Sequence, residues 1–161
     1  MHLNLASGQR RLVAVLAVAT LVWLPACERP DDTREMPLPG RWYTVGQLES
    51  GRALFRRQCA GCHGLDAQGT ENWRQRDAAG NLPPPPLNGS AHTWHHSREQ
   101  LRDYILEGGV ALGGTMPGFA QSLEESDALA VIAYFQSTWD DSVYKRWAKM
   151  YPPTSAVPSD G

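Results

Sequence analysis

The residues best placed to do chemistry together form the pentapeptide "CAGCH", Cys59 to His63. Two thiols three positions apart with an adjoining imidazole suit more than one chemistry. The thiols can form thioethers to the two vinyl groups of haem while His63 ligates iron. A structural zinc site would need four ligands, usually from a second Cys or His pair at comparable spacing. A thioredoxin-like redox motif would need a surrounding parallel-sheet pattern. The chain has 3 cysteines in all, the third being Cys27, and shows no convincing alternating strand. Covalent haem attachment is the reading these residues favour.

Haem iron held by one histidine leaves a sixth position, and "GGTMPGF" offers Met116 for it. Pro117 disfavours the helical conformation for Met116 and pushes it towards extended geometry. A thioether stabilises ferrous iron relative to a harder ligand and so raises the reduction potential. The alternative is a methionine merely packed in its loop, but Met36 and Met150 fall outside the expected domain, which leaves Met116 as the candidate. In "AHTWHH", His92, His95 and His96 are spaced at i, i+3 and i+4, and could gather a second metal if helical. Neither acid nor cysteine adjoins that cluster. The favoured reading is that Trp94 and one histidine hydrogen-bond a haem propionate or cap the next helix.

These residues need elements to position them. A helix is expected from about Gln47 into the cysteines, with Leu48, Gly51 and Phe55 on one side. Glycine inside a helix costs roughly 1 kcal/mol relative to alanine, and close approach of another helix would justify it, so Gly51 is an expected crossing point. Residues 64 to 96 lack any sustained period and contain "NLPPPPLNGS", an irregular, stiff loop that needs something to pack around. Ser97 with Gln100 makes a capping-box pattern ahead of Leu101, Tyr104 and Ile105, and Gly108 with Gly109 stops that helix. Ser122 with Glu125 repeats the device before Leu129, Ile132 and Phe135. In the tail, Asp140 or Asp141 can cap a short helix with Val143, Trp147 and Met150 or Tyr151 on one face, ended by Pro152 and Pro153. That tail either covers the domain or, through Lys145, Arg146 and Lys149 with exposed aromatics, docks an acidic partner; covering is favoured. The helices offer few apolar faces, so something other than side chains is expected in the middle.

The chain of 161 residues suits one small domain with appendages, and its formal net charge of -2 gives no suggestion of nucleic acid. Residues 1–26 stand apart. Arg10 and Arg11 precede an apolar run from Leu12 to Ala26, shorter than the roughly 20 residues that span a bilayer, which reads as an export signal. The run ends in "LPAC", which resembles the lipobox of bacterial lipoproteins, implying acylation of Cys27 and attachment to a membrane through N-terminal lipid. Without Arg10 and Arg11 the 15 Lys+Arg become 13 against 17 Asp+Glu, a net charge of -4. Residues 27–45 mix charges with prolines and read as a flexible tether.

Residues 46–138 resemble a monohaem class I c-type cytochrome. The markers occur in order as "GRALF", "CAGCH", "TMPGF" and a final helix "AVIAYF". The resemblance implies an all-α cytochrome c fold of three to four helices and long loops around one covalent haem c. It also implies that Gly51 and Phe55 cross Val131 and Tyr134, and that a proline stands beside His63, for which Pro86 is the nearest match. Residues 139–161 lie outside it as a C-terminal extension with a short helix. The function implied is one-electron transfer on the outer side of the cytoplasmic membrane between redox protein partners, a donor and an acceptor. The rival readings are a haem enzyme with a displaceable sixth ligand and a fixed electron-entry subunit of a larger complex.

Overall fold

The computed structural model describes residues 34–152. The expected export signal, Cys27 and the end of the tail lie outside the described residues. Those described fold into five α-helices, two 3₁₀ turns and long irregular loops, with an isolated bridge between Pro37 and Thr44 as their only β pairing. This is an all-α arrangement, as the cytochrome c resemblance implies. Beside the expected three to four, counting the short tail helix, the further one is a four-residue helix that carries the second cysteine.

Helix α1, Val45–Gln58, starts at Thr44, whose hydroxyl accepts from the Gln47 N–H while the Gln47 side chain accepts from the Thr44 N–H. That capping box satisfies two donors at the helix start. At Cys59 the helix gives way to α2, Ala60–His63. Helix α4, Glu125–Ser137, buries more residues than any other helix and crosses α1 at Gly51. A Cβ at Gly51 would run into the Ala130 carbonyl, so the two backbones touch where the glycine stands. One turn on, Phe55 is fully buried and its ring meets that of Tyr134.

Helix α3, Arg98–Glu107, begins at the expected capping box of Ser97 and Gln100 and ends at Gly108, whose φ of 83° is the left-handed region that glycine enters without strain. The start of α4 differs from expectation. Its N-cap is Glu124, whose N–H donates to the Asp127 carboxylate, and Ser122 instead donates to the Phe119 carbonyl. The amides of Ser122 and Leu123 both turn back to Phe119, and Leu123 is buried, so the helix can begin only after that turn.

The tether also needs correction over its described part. The Leu38 N–H donates to the Tyr43 carbonyl, closing a turn through Pro39 and Gly40, and Tyr43 is 1% exposed in the core. Trp42 donates through Nε1 to the Gln136 side chain at 2.6 Å. Two adjacent aromatics bury enough apolar surface to hold this segment down, whatever its prolines and charges suggest.

Helix α5, Asp141–Met150, follows Asp140 as expected, but the residues it buries are Tyr144 and Trp147. Trp147, 1% exposed, donates to the His96 carbonyl at 2.8 Å, and the Tyr151 hydroxyl donates to the His95 carbonyl at 2.5 Å. Arg41 pairs with Asp141 at 2.6 Å and lies over the Tyr144 ring, tying the first turn of the domain to its last helix. The tail's aromatics therefore cover the domain, while Lys145, Arg146 and Lys149 remain exposed.

Candidate haem site

Cys59, Cys62 and His63 are brought together by the break between α1 and α2. Cys59 caps α1 from a buried position, Cys62 is exposed on α2, and His63 is the last residue of α2 and 7% exposed. Neither cysteine is in a disulfide, so both are available for covalent attachment. Before attachment, burial, with a smaller effect from Cys62, pushes the Cys59 thiol up to about 11, so it is a neutral S–H.

The His63 ring has one defined partner. Its Nδ1 lies 2.9 Å from the Pro85 carbonyl oxygen. A carbonyl can only accept, so Nδ1 carries the proton and Nε2 presents a lone pair. Burial lowers the pKa of His63, against the opposing effect of the Pro85 bond, which keeps the imidazole neutral. Two free thiols and a neutral imidazole with a fixed tautomer are the donor set that covalent haem c requires.

The hydrogen bond falls on Pro85, one residue before the expected Pro86. Pro86 is buried, and its carbonyl accepts from the Thr93 hydroxyl at 2.9 Å. Four consecutive carbonyls are in fact engaged. Pro84 accepts from the Thr70 N–H at 3.0 Å, Pro85 from His63, Pro86 from Thr93, and Leu87 from Trp139 Nε1 at 2.7 Å. Prolines have no N–H, so Pro84, Pro85 and Pro86 are held through their acceptors by donors supplied from elsewhere, while Leu87 also donates its N–H to the Ala67 carbonyl at 2.7 Å. Thr93 and Trp139 escaped sequence reasoning, because nothing in a run of four prolines says which carbonyl faces which donor.

Met116 is half-buried and packs against the core that includes Cys59. Its carbonyl accepts from the Gly109 N–H at 2.9 Å, and the following Phe119 and Ala120 N–H groups donate to the carbonyls of Ile105 and Leu106 at the end of α3. A Cβ at Gly108 would fall 2.5 Å from the Gly118 nitrogen, so glycine permits this close return of the chain. The histidine cluster is not helical in the way its spacing allows. A 3₁₀ turn over Thr93–His95 turns the His95 ring against Trp94, while His92, stacked on Trp73, and His96, against Tyr104, meet edge to face with ring centroids 5.7 Å apart. Among the described residues no group of three or more His, Cys, Asp or Glu is arranged to hold a metal ion.

Fold and site together define a c-type cytochrome domain. Residues 46–135 match the family model described as "Cytochrome C oxidase, cbb3-type, subunit III", and the chain belongs to that family. Its cofactor is one covalently bound haem c, and its chemistry is haem-based electron transfer with redox partners. Among solved structures, the chain is similar to cytochrome cL from the marine methylotrophic bacterium Methylophaga aminisulfidivorans. The two share 19% identity with a TM-score of 0.45, over 72% of this chain and 74% of the other. No curated protein matched the sequence.

Proposed function

We propose that this protein is an exported one-electron carrier, in which His63 and Met116 would ligate the iron, Cys59 and Cys62 would form the thioethers, and a lipid on Cys27 would hold it to a membrane outside the cytoplasm. In this reading residues 1–26 are the export signal, the electron-transfer domain spans 46–138, and residues 139–161 are an extension whose helix braces it. The observation that carries it is the His63 Nδ1–H bond to Pro85, which leaves Nε2 alone to bind iron. Bound haem supplies a ferric/ferrous couple. The chain supplies a buried, tautomer-fixed imidazole on one side and, from the loop pinned to the end of α3, a thioether for the other.

A closed sixth position reorganises little on electron transfer and offers no place for substrate, which separates a carrier from a haem oxidase, peroxidase or nitrite-handling enzyme. The family's description as an oxidase subunit favours a second reading, in which the same carrier is permanently docked as an electron-entry subunit. Oxidised and reduced spectra, recorded with and without carbon monoxide, test the proposal. A low-spin spectrum in both states that carbon monoxide leaves unchanged is expected. Rapid formation of a carbon monoxide complex by the native protein would point to an enzyme instead.

A further inference from the structure

The proline run beside His63 is anchored by two side chains whose role the family assignment leaves open. Thr93 is 3% exposed and spends its hydroxyl proton on the Pro86 carbonyl; Trp139 is 4% exposed and spends its indole N–H on the Leu87 carbonyl. These bonds fall on the two residues immediately after Pro85, whose carbonyl holds the His63 ring. Trp139 lies beyond the matched residues 46–135 and just before α5. A Cβ at Gly89 would come 3.0 Å from the Trp139 indole, so the chain after the run packs on the same ring.

We infer that Thr93 and Trp139 are positioning residues for the proximal imidazole, setting the strength of the His63 Nδ1–H bond to Pro85 and through it the reduction potential of the iron. The inference rests on His63 being an iron ligand. A run of four prolines cannot correct its own position with amide donors. Once Pro86 loses its external donor its carbonyl is unpaired in a buried place, and Leu87 likewise in a half-buried one; the run shifts to regain a partner. Pro85 moves with it. A hydrogen bond from Nδ1 makes imidazole a stronger donor through Nε2 and favours ferric iron. A weaker bond therefore raises the potential.

The test is the midpoint potential of holoprotein, measured beside thermal stability and the ferric spectrum. Thr93→Val, which keeps the shape and removes the donor, should move the ferric/ferrous equilibrium at least threefold towards ferrous, about 28 mV at roughly 59 mV per decade for one electron. Thr93→Ser keeps the hydroxyl and should behave like the parent. Trp139→Phe keeps the ring, removes the N–H and should shift the potential in the same direction, so it carries the test if Thr93→Val fails to fold. Variants that lose stability at unchanged potential, or whose potential falls, would overturn the inference while leaving the ligation intact. His63→Ala separates the two layers: if it keeps the parent's low-spin spectrum, His63 is not a ligand and both readings fail.

Discussion

The rings of Phe55 and Tyr134 lie 5.1 Å apart, tilted by 52°, one turn beyond the point where Gly51 rests on the Ala130 carbonyl. Helices α1 and α4 thus meet backbone to backbone at one level and ring to ring at the next. Tyr134 also reaches across to the chain just past the haem-binding motif, its hydroxyl donating to the Leu65 carbonyl at 3.4 Å.

Gly51→Ala is therefore expected to destabilise the protein even though alanine is the better helix former by roughly 1 kcal/mol. The atom a Cβ would meet is a backbone carbonyl, which cannot rotate away, so the helices must separate. Overpacking of this kind costs about 1–3 kcal/mol, and thermal unfolding of the holoprotein should show a clear drop. An equal or higher melting temperature would mean the crossing is looser than the structure has it.

Met116→Ala should leave haem attached through both thioethers and abolish the weak near-infrared band of sulfur-ligated ferric iron. The potential should fall as water or a histidine replaces the thioether. If the band survives, another methionine occupies the iron.

Cys27→Ser addresses localisation. If Cys27 is acylated as proposed, the variant should incorporate haem normally and appear in the soluble fraction, because acyl chains contribute ~0.8 kcal/mol per buried CH₂ and their loss would remove the anchor. Should it stay membrane-bound through a salt wash to the same extent as the parent, the attachment lies elsewhere.

Trp147→Ala removes a fully buried ring from α5 and frees the His96 carbonyl it satisfies. A loss of about 3–5 kcal/mol is expected, visible as early unfolding by circular dichroism. Trp147→Phe keeps most of the packing and should lose only about 1 kcal/mol with the hydrogen bond. A loss for Trp147→Ala no larger than that of Trp147→Phe would show that α5 contributes little to the domain.

Stability should also fall in mild acid. Burial lowers the pKa of both His92 and His96 below 6.5, with further lowering from each other's neighbourhood: His95 and Arg74 around His92, His92 and His95 around His96. Trp73 and Tyr104 complete their surroundings. As pH drops, the unfolded chain takes up these protons first. The stability they allow is complete above 6.5 and declines as pH falls through that value towards the depressed folded ones. Denaturant midpoints between pH 7.5 and 5.5 check this, with His92→Gln, His96→Gln together expected to flatten the slope. An identical slope in that double variant would assign the acid sensitivity to other groups.

What could be read from the sequence was whatever a local rule specifies. Gly51 announced its crossing because a glycine within a helix has a cost that only a close neighbour explains, and Ser97 with Gln100 announced a helix start because the capping box is complete within four residues. Long-range relationships were less accessible. Glu124 rather than Ser122 begins α4 because of a turn that buries Leu123, and burial depends on the rest of the fold. Tyr43 was hidden in a segment whose prolines and charges suggested a tether, since composition does not say that Gln136 waits for its neighbour Trp42. At the site, the pentapeptide carried the chemistry in full view. The choice of Pro85 over Pro86, and the donors from Thr93 and Trp139, depend on contacts across 22, 7 and 52 residues that no local pattern encodes.

The return of the chain onto the end of α3 ties two events into one. The last carbonyls of a helix ordinarily face water or a cap. Here those of Ile105 and Leu106 take the amide protons of Phe119 and Ala120, just after Met116, and Gly108 and Gly118 make the approach possible. With Met116 on the iron, that thioether cannot swing far without unlatching the final turn of α3, and that turn cannot fray without releasing the thioether. Ligand escape and helix fraying become a single local unfolding event, costing more than a free loop and less than the whole domain. Under the proposed ligation, the affinity of the iron for Met116 would be partly a property of helix α3.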